Sequence, residues 1–489
     1  MSVNMTTSSY YPNHYAASFY APATPYAATT LSNTGNGVSS LGLPAGPQGP
    51  SGASSFAQST LQKSILSNGT PGYFLQTPGA QKSAVLLAFP LAALPPELSG
   101  LLCSLLTGGS PSTKRQMEAL ERQGIQLTVS SNSGQCTVQA EAPVGKEADM
   151  LSALQTVLTR PVVDPATFNT LKSQFKMAAQ SNINNLDAQL ENRMAQRLFG
   201  PNHPVSKTPQ AAMAEYDNQT LSGVMAYQPA LLQLLRQGQA MMVSPLPADN
   251  QRQLLDAAVS QLSLNASPAQ PSPTDWPPER MAPGLSRPVL LPTTVAPRAM
   301  IKVLWQAPDQ RDPDFPAFTL IDHILNSSST YSFFNILRTR DALVYGMKEG
   351  TPAYRFSQGQ AFSVGAEVDF PKITQALNDI RELTQALCQG RVSAEELQAA
   401  QRTVLLGMRQ CGETSSGVLE LYSRRLSRKG APVPSLDEVQ AALNRVTLDD
   451  IQRVANRIFN NPNSLSLLGV AAPLPVLQQT FPGQPLESV

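Results

Sequence analysis

Nine prolines fall within the 33 residues from Asn265 to Pro297. Proline fixes its own φ and pushes the residue before it out of the helical region, so no helix or central strand can run through such a stretch. It predicts an extended, semi-stiff connector that splits the 489-residue chain into two parts of similar length. A second break lies at the N-terminus, where the chain is rich in Ser, Tyr, Pro, Ala, Thr and Gly, lacks a hydrophobic period, and carries no acidic residue before Glu97. That composition buries too little apolar surface to offset its ordering entropy, which predicts a disordered tail. It has no basic and apolar run of a secretory signal, and no Arg before Arg115, which makes a poor transit peptide. The expected layout is a tail over 1–66, a first lobe over 67–264, the connector over 265–297, a second lobe over 298–475 and a C-terminal tail over 476–489.

The two lobes read alike. Each opens with an apolar strand, SAVLLAF (Ser83–Phe89) and AMIKVLW (Ala299–Trp305), then a Pro-marked turn and an apolar helix. The first lobe continues with the alternating strands IQLTVSSN and GQCTVQAEAP, and the second with a broken counterpart ending in QAFSVGAEVDF. Two long helices follow in each lobe. Asp164 ahead of Pro165, and Ser393 with Glu396, mark the start of the second helix of each pair. NRMAQRLFGPNHPVSKTP and LYSRRLSRKGAPVPSL then open matching closing phrases. A repeat of this length is a duplicated α+β unit rather than a solenoid.

Lys and Arg total 35 against 34 Asp and Glu, a net charge of +1, which excludes a nucleic-acid binder that depends on a broad basic face. The longest apolar stretch, near Ala84–Leu94, is interrupted by Pro90 and falls short of the roughly 20 residues of a membrane span. Only three histidines occur, His14, His203 and His323, and no two have the spacing of H-E-x-x-H or H-x-x-E-H. An autonomous zinc peptidase is thereby excluded. His323, in TLIDHILN, reads as a core or interface residue and His203 as a turn residue. Cys103, Cys136, Cys388 and Cys411 are too widely spaced for a C-x-x-C site and read as small buried apolar residues.

FFNILRTRDALVYGM (Phe333–Met347) contains L-R-x-x-x-x-L-x-Y, and through it the chain resembles the pitrilysin/insulinase family of metallopeptidases, of the mitochondrial processing peptidase type. TKRQMEALERQGIQLTVSSNSGQCTVQAEAP and LFGPNHPVSKTPQA extend the resemblance, which covers roughly residues 70–475. It implies an α+β fold of two homologous lobes, each a mainly antiparallel sheet packed with helices. The family's zinc motif would fall on the first-lobe helix Pro95–Gly109, at Ser99, Leu102 and Cys103, which cannot supply the ligands and base of a zinc hydrolase. Its distal glutamate would fall in 168–180, where there is no carboxylate. The resemblance therefore implies a subunit with no metal site or autonomous activity of its own, with zinc expected only in a partner.

In the family the second-lobe Arg and Tyr reach toward the zinc site of the facing half and hold the substrate carbonyl. By the match, Arg338 and Tyr345 take those positions. A guanidinium and a phenol suit the work because both can donate hydrogen bonds to a developing oxyanion. Val344 departs from the Gly or Ala usual before the Tyr, and an Arg340–Asp341 ion pair would compete for Arg338. On a helix, a spacing of seven would instead place an exposed Arg beside a half-buried Tyr on one face. The implied partners are a peptide substrate and a zinc-bearing peptidase subunit, or a second copy of the chain. A non-enzymatic scaffold or peptide-binding protein with the same fold is the alternative. Lack of a recognisable signal makes the cytoplasm the default compartment, while the family's bacterial pairs, often periplasmic, leave the periplasm and secretion open.

Overall fold

The structure is a computed structural model. It describes residues 61–487 apart from 91–95, 133–134, 202, 235–237, 265–286, 295–296, 327–330, 351–358, 427–432 and 462–463. Most of the expected N-terminal tail and the first two thirds of the expected connector therefore lie outside the described residues.

Two sheets organise the chain. The first contains β1 (Leu61–Ile65), β2 (Pro71–Gln76), β3 (Lys82–Pro90), β4 (Gln126–Asn132), β5 (Gln135–Pro143) and β6 (Gln239–Ser244), in the order β1-β2-β6-β3-β5-β4. The second contains β7 (Val289–Pro292), β8 (Ala299–Ala307), β9 (Val344–Gly350), β10 (Gln360–Val368) and β11 (Ser466–Ala472), in the order β7-β11-β8-β10-β9. Leaving β1 aside, the two orders superimpose strand for strand. In each, the first strand of a lobe runs parallel to its last, β2 beside β6 and β7 beside β11, and every other pairing is antiparallel. The duplication read from the sequence is thus a duplicated α+β topology.

Three segments outside the expected lobe bounds are ordered parts of them. Leu61–Ile65, at the end of the expected tail, is β1 and pairs with β2. Val289–Pro292, inside the proline run, is β7, and as an edge strand it tolerates the proline that ends it. Past residue 475, Glu487 donates its backbone N–H to the Leu290 carbonyl and pairs with Arg197.

Both faces of each sheet are covered, which is why SAVLLAF and AMIKVLW read as near-continuous apolar runs, broken in the second only by Lys302, rather than as alternating ones. On β3, Val85, Leu87 and Phe89 point into the first lobe's own helices, while Ala84, Leu86 and Ala88 point the other way. That second face is covered by the helix Ser415–Leu426 of the second lobe, through Val418, Leu419, Tyr422 and Leu426. The exchange is reciprocal. The helix Leu186–Phe199 of the first lobe lays Leu190, Met194, Ala195 and Leu198 on the outer face of the second sheet, against Met300, Leu304 and Leu467. These are the two helices that open the matching closing phrases in the sequence.

One ion triad fixes the second exchange. Lys302 of β8 is 2% exposed, and its Nζ lies 3.1 Å from Asp187 and 3.5 Å from Glu191 on the Leu186–Phe199 helix. The helix starts behave as their residues predict: Asp164 accepts the Thr167 backbone N–H at 2.9 Å with Pro165 in the first turn, and Ser393 and Glu396 cap each other reciprocally.

Candidate functional site

The first-lobe helix Pro96–Gly108 presses Leu98, Leu101, Leu102, Cys103, Leu105 and Leu106 into the first core. Ser99 is buried at 4% exposure and Leu102 at 0%. Cys103 is also buried, with its Sγ 3.4 Å from Sγ of Cys136 on β5. Burial, and then the neighbouring Cys103, push the Cys136 thiol well above its ordinary range, so it holds its proton.

Across from this helix lies Pro165–Ile183, where a distal carboxylate ligand would have to stand. Its sequence contains none. Gly100 instead faces a phenyl ring: a Cβ there would stand 3.2 Å from Phe175. Phe175 in turn packs on Tyr216, with ring centroids 5.6 Å apart. The ground between the two helices is hydrocarbon where a zinc site would need donors. Among the described residues no three His, Cys, Asp or Glu side chains come together as a metal-binding group. The residues present do not fit zinc.

His203 and His323 are each accounted for locally. The His203 ring stacks on Phe199 at 4.9 Å, and its Nδ1 accepts the Val205 backbone N–H at 3.3 Å. His323 is half-buried on the helix Phe315–Asn326, and burial pulls its pKa down. His14 lies outside the described residues.

Arg338 and Tyr345 are carried on two different elements. Arg338 belongs to a single π-helical segment, Asn335–Arg340, and Tyr345 to the backbone of β9, the edge strand of the second sheet. The chain turns sharply between them at Ala342, whose φ of 48° is the one left-handed non-glycine conformation among the described residues. The two residues therefore do not share a helical face, and the helical reading of their spacing is corrected. The Arg338 side chain is exposed, its guanidinium carbon 5.1 Å from the centre of the Phe334 ring.

The expected Arg340–Asp341 ion pair is present, with contacts of 2.7–3.1 Å. It leaves Arg338 alone, because its third member is Asp379 from the helix Ile373–Cys388, 3.6 Å from Arg340. Burial, followed by the hydrogen bond and charge of Asp341, push the Asp379 carboxyl up to about 6. Sequence reasoning missed Asp379 and Phe175, since neither lies near its partner along the chain. Leu337 and Val344, beside Arg338 and Tyr345, pack in the second lobe's core, whereas the helix bearing Ser99, Leu102 and Cys103 packs in the first.

Residues 241–404, from β6 into the helix Ala394–Cys411, match the family described as peptidase M16 inactive domain. The chain has an M16-like fold. The peptidase M16 inactive domain of Pseudomonas fluorescens has the same fold, with a TM-score of 0.68 at 15% identity over 85% of this chain and 98% of that one. A protease from Helicobacter pylori is similar at a TM-score of 0.69 and 13% identity, over 85% of this chain and all 100% of that one. The periplasmic protease PqqL from Escherichia coli gives 0.68 at 13% identity, over 92% of this chain but 49% of its own. The chain thus spans about half of PqqL. No curated protein matches it.

Proposed function

We propose that the chain is a catalytically incomplete M16-type subunit that pairs with a zinc-bearing chain to enclose peptides, and that Arg338 and Tyr345 act on substrate bound at the partner's metal. The observation that carries this reading is the contrast between the two lobes. Hydrocarbon and a Cys103–Cys136 contact fill the first-lobe helix face, whereas L-R-x-x-x-x-L-x-Y stands complete at Leu337, Arg338, Leu343 and Tyr345. Arg338 is exposed and held by no carboxylate among the described residues, so its charge is available to a facing surface. Leu337 and Val344, beside Arg338 and Tyr345, pack in the second lobe's core and the first-lobe helix in the other, which suits action across an interface rather than within one chain.

In this arrangement the guanidinium and phenol would donate hydrogen bonds to the scissile carbonyl as negative charge develops on its oxygen. Removing one such donor typically lowers kcat by about 10²–10³. The test is to assemble the chain with an H-x-x-E-H subunit and measure peptide turnover by the complex carrying Arg338→Ala or Tyr345→Phe. A fall of about tenfold or more for each is expected. Unchanged turnover, or assembly only as a homodimer without hydrolysis, would favour the scaffold reading instead.

A further inference from the structure

A pocket of about 180 Å³ opens in the second lobe between the helices Phe315–Asn326, Ala394–Cys411, Ser415–Leu426 and Leu436–Asn444. Its walls are apolar, built from Phe315, Pro316, Val404, Met408, Val439 and Leu443. Several polar groups border that lining, and one of them is a buried cation. Arg425, on the Ser415–Leu426 helix, is 7% exposed and borders the cavity. Its guanidinium carbon sits 5.9 Å from the centre of the Phe315 ring, and it forms no ion pair among the described residues.

A guanidinium taken out of water without an anion is costly, and proteins rarely leave one so. The two carboxylates that also border the pocket are already engaged. Asp312 accepts from Arg457 at 3.0 and 2.5 Å, and Glu438 accepts the backbone N–H of Ser435 at 2.7 Å as part of a helix cap. Burial lowers the Arg425 pKa, the direction expected of a cation lacking a close counter-charge.

We propose that this pocket binds a carboxylate carried on a short apolar body, with the carboxylate on the Arg425 guanidinium and the body against Phe315, Val404 and Met408. The planar fork of Arg matches a carboxylate in two parallel hydrogen bonds, and the cavity holds about one large hydrophobic side chain. The C-terminal residue of a peptide and a medium-chain fatty acid share this chemistry. The site is independent of the zinc question and of Arg338 and Tyr345. The same helix covers the first sheet through Leu419 and Tyr422, so a ligand here would sit on an element that joins the lobes.

The experiment is calorimetric titration of the full chain with octanoate and with N-acetyl-leucine, each compared with its neutral counterpart, octan-1-ol or N-acetyl-leucinamide. At least one carboxylate is expected to saturate a single site and to bind about tenfold or more tightly than its neutral counterpart, the strength of a charge-assisted contact. Which of the two binds separates fatty acid from peptide terminus. Arg425→Gln should remove that preference. Ala442→Phe, which narrows the pocket while keeping the Arg425 guanidinium, should abolish binding and guards against a poorly folded Arg425 variant. Absence of binding by both carboxylates at about 10 mM, equal binding of the neutral compounds, or wild-type affinity in folded Arg425→Gln would overturn the proposal.

Discussion

Leu102 cannot be turned into part of a zinc site by local replacement, because what surrounds it is also wrong for a metal. Ser99→His, Leu102→Glu and Cys103→His together would restore H-x-x-E-H in sequence, yet they would face Phe175 and a helix without carboxylates. The expected outcome is no stoichiometric zinc by elemental analysis and a loss of about 4 kcal/mol or more, the class of effect that follows from burying an unpaired charge. A second prediction concerns Asp379, whose carboxyl is raised to about 6 against about 3.9 in an unfolded chain. Between these values the folded state holds the proton more firmly, so the contribution of Asp379 is full below about pH 4 and is lost as pH rises through 6. Asp379→Asn keeps a polar partner for Asp341 and should raise the melting temperature at pH 7 but not at pH 4. After discounting for solvent screening, the gain is on the order of 1 kcal/mol.

At the scale of elements, the helices that cross between lobes carry the most consequence. Lys302→Met would leave Asp187, 6% exposed, without its cation and should cost about 3 kcal/mol in denaturant unfolding, as removal of one partner of a buried pair does. Met194→Ala would open a cavity between the Leu186–Phe199 helix and the second sheet, at about 2–5 kcal/mol. The core strands β3, β4, β5, β8 and β10 were legible from apolar runs and alternation, and the helix starts from Asp164 and Ser393. The strands β1, β2, β6, β7 and β11 were not. β1 and β2 form a hairpin across Asn68–Gly69, a turn signal that the compositional reading of the tail passed over, whereas the pairings β2–β6 and β7–β11 are parallel and distant along the chain, so no hairpin turn announces them. Lys302, a lysine in the middle of AMIKVLW, was the available sign that the outer face of β8 meets another element. What meets it is set by tertiary packing, which periodicity does not encode. The same limit applied to the candidate site: the absence of ligands at Ser99, Leu102 and Cys103 could be read residue by residue, whereas Phe175 opposite Gly100 depends on how two helices dock.

For the molecule as a whole, each sheet is sealed by a helix from the other lobe, so neither lobe can bury its core alone. The chain should therefore unfold in a single calorimetric transition, with fragments 61–264 and 287–487 failing to fold separately. Two resolved transitions would show that the exchanged helices are peripheral. The same architecture holds an Arg/Tyr segment on the second lobe and a metal-incompetent helix on the first, which is the basis for reading the molecule as half of a peptidase. The most direct test is hydrolysis of a fluorogenic peptide library by the purified full chain with added zinc, alone and after mixing with an H-x-x-E-H subunit. The account predicts no zinc-dependent turnover by the chain alone and turnover with the partner that falls on Arg338→Ala. Chelator-sensitive hydrolysis by the isolated chain would contradict it.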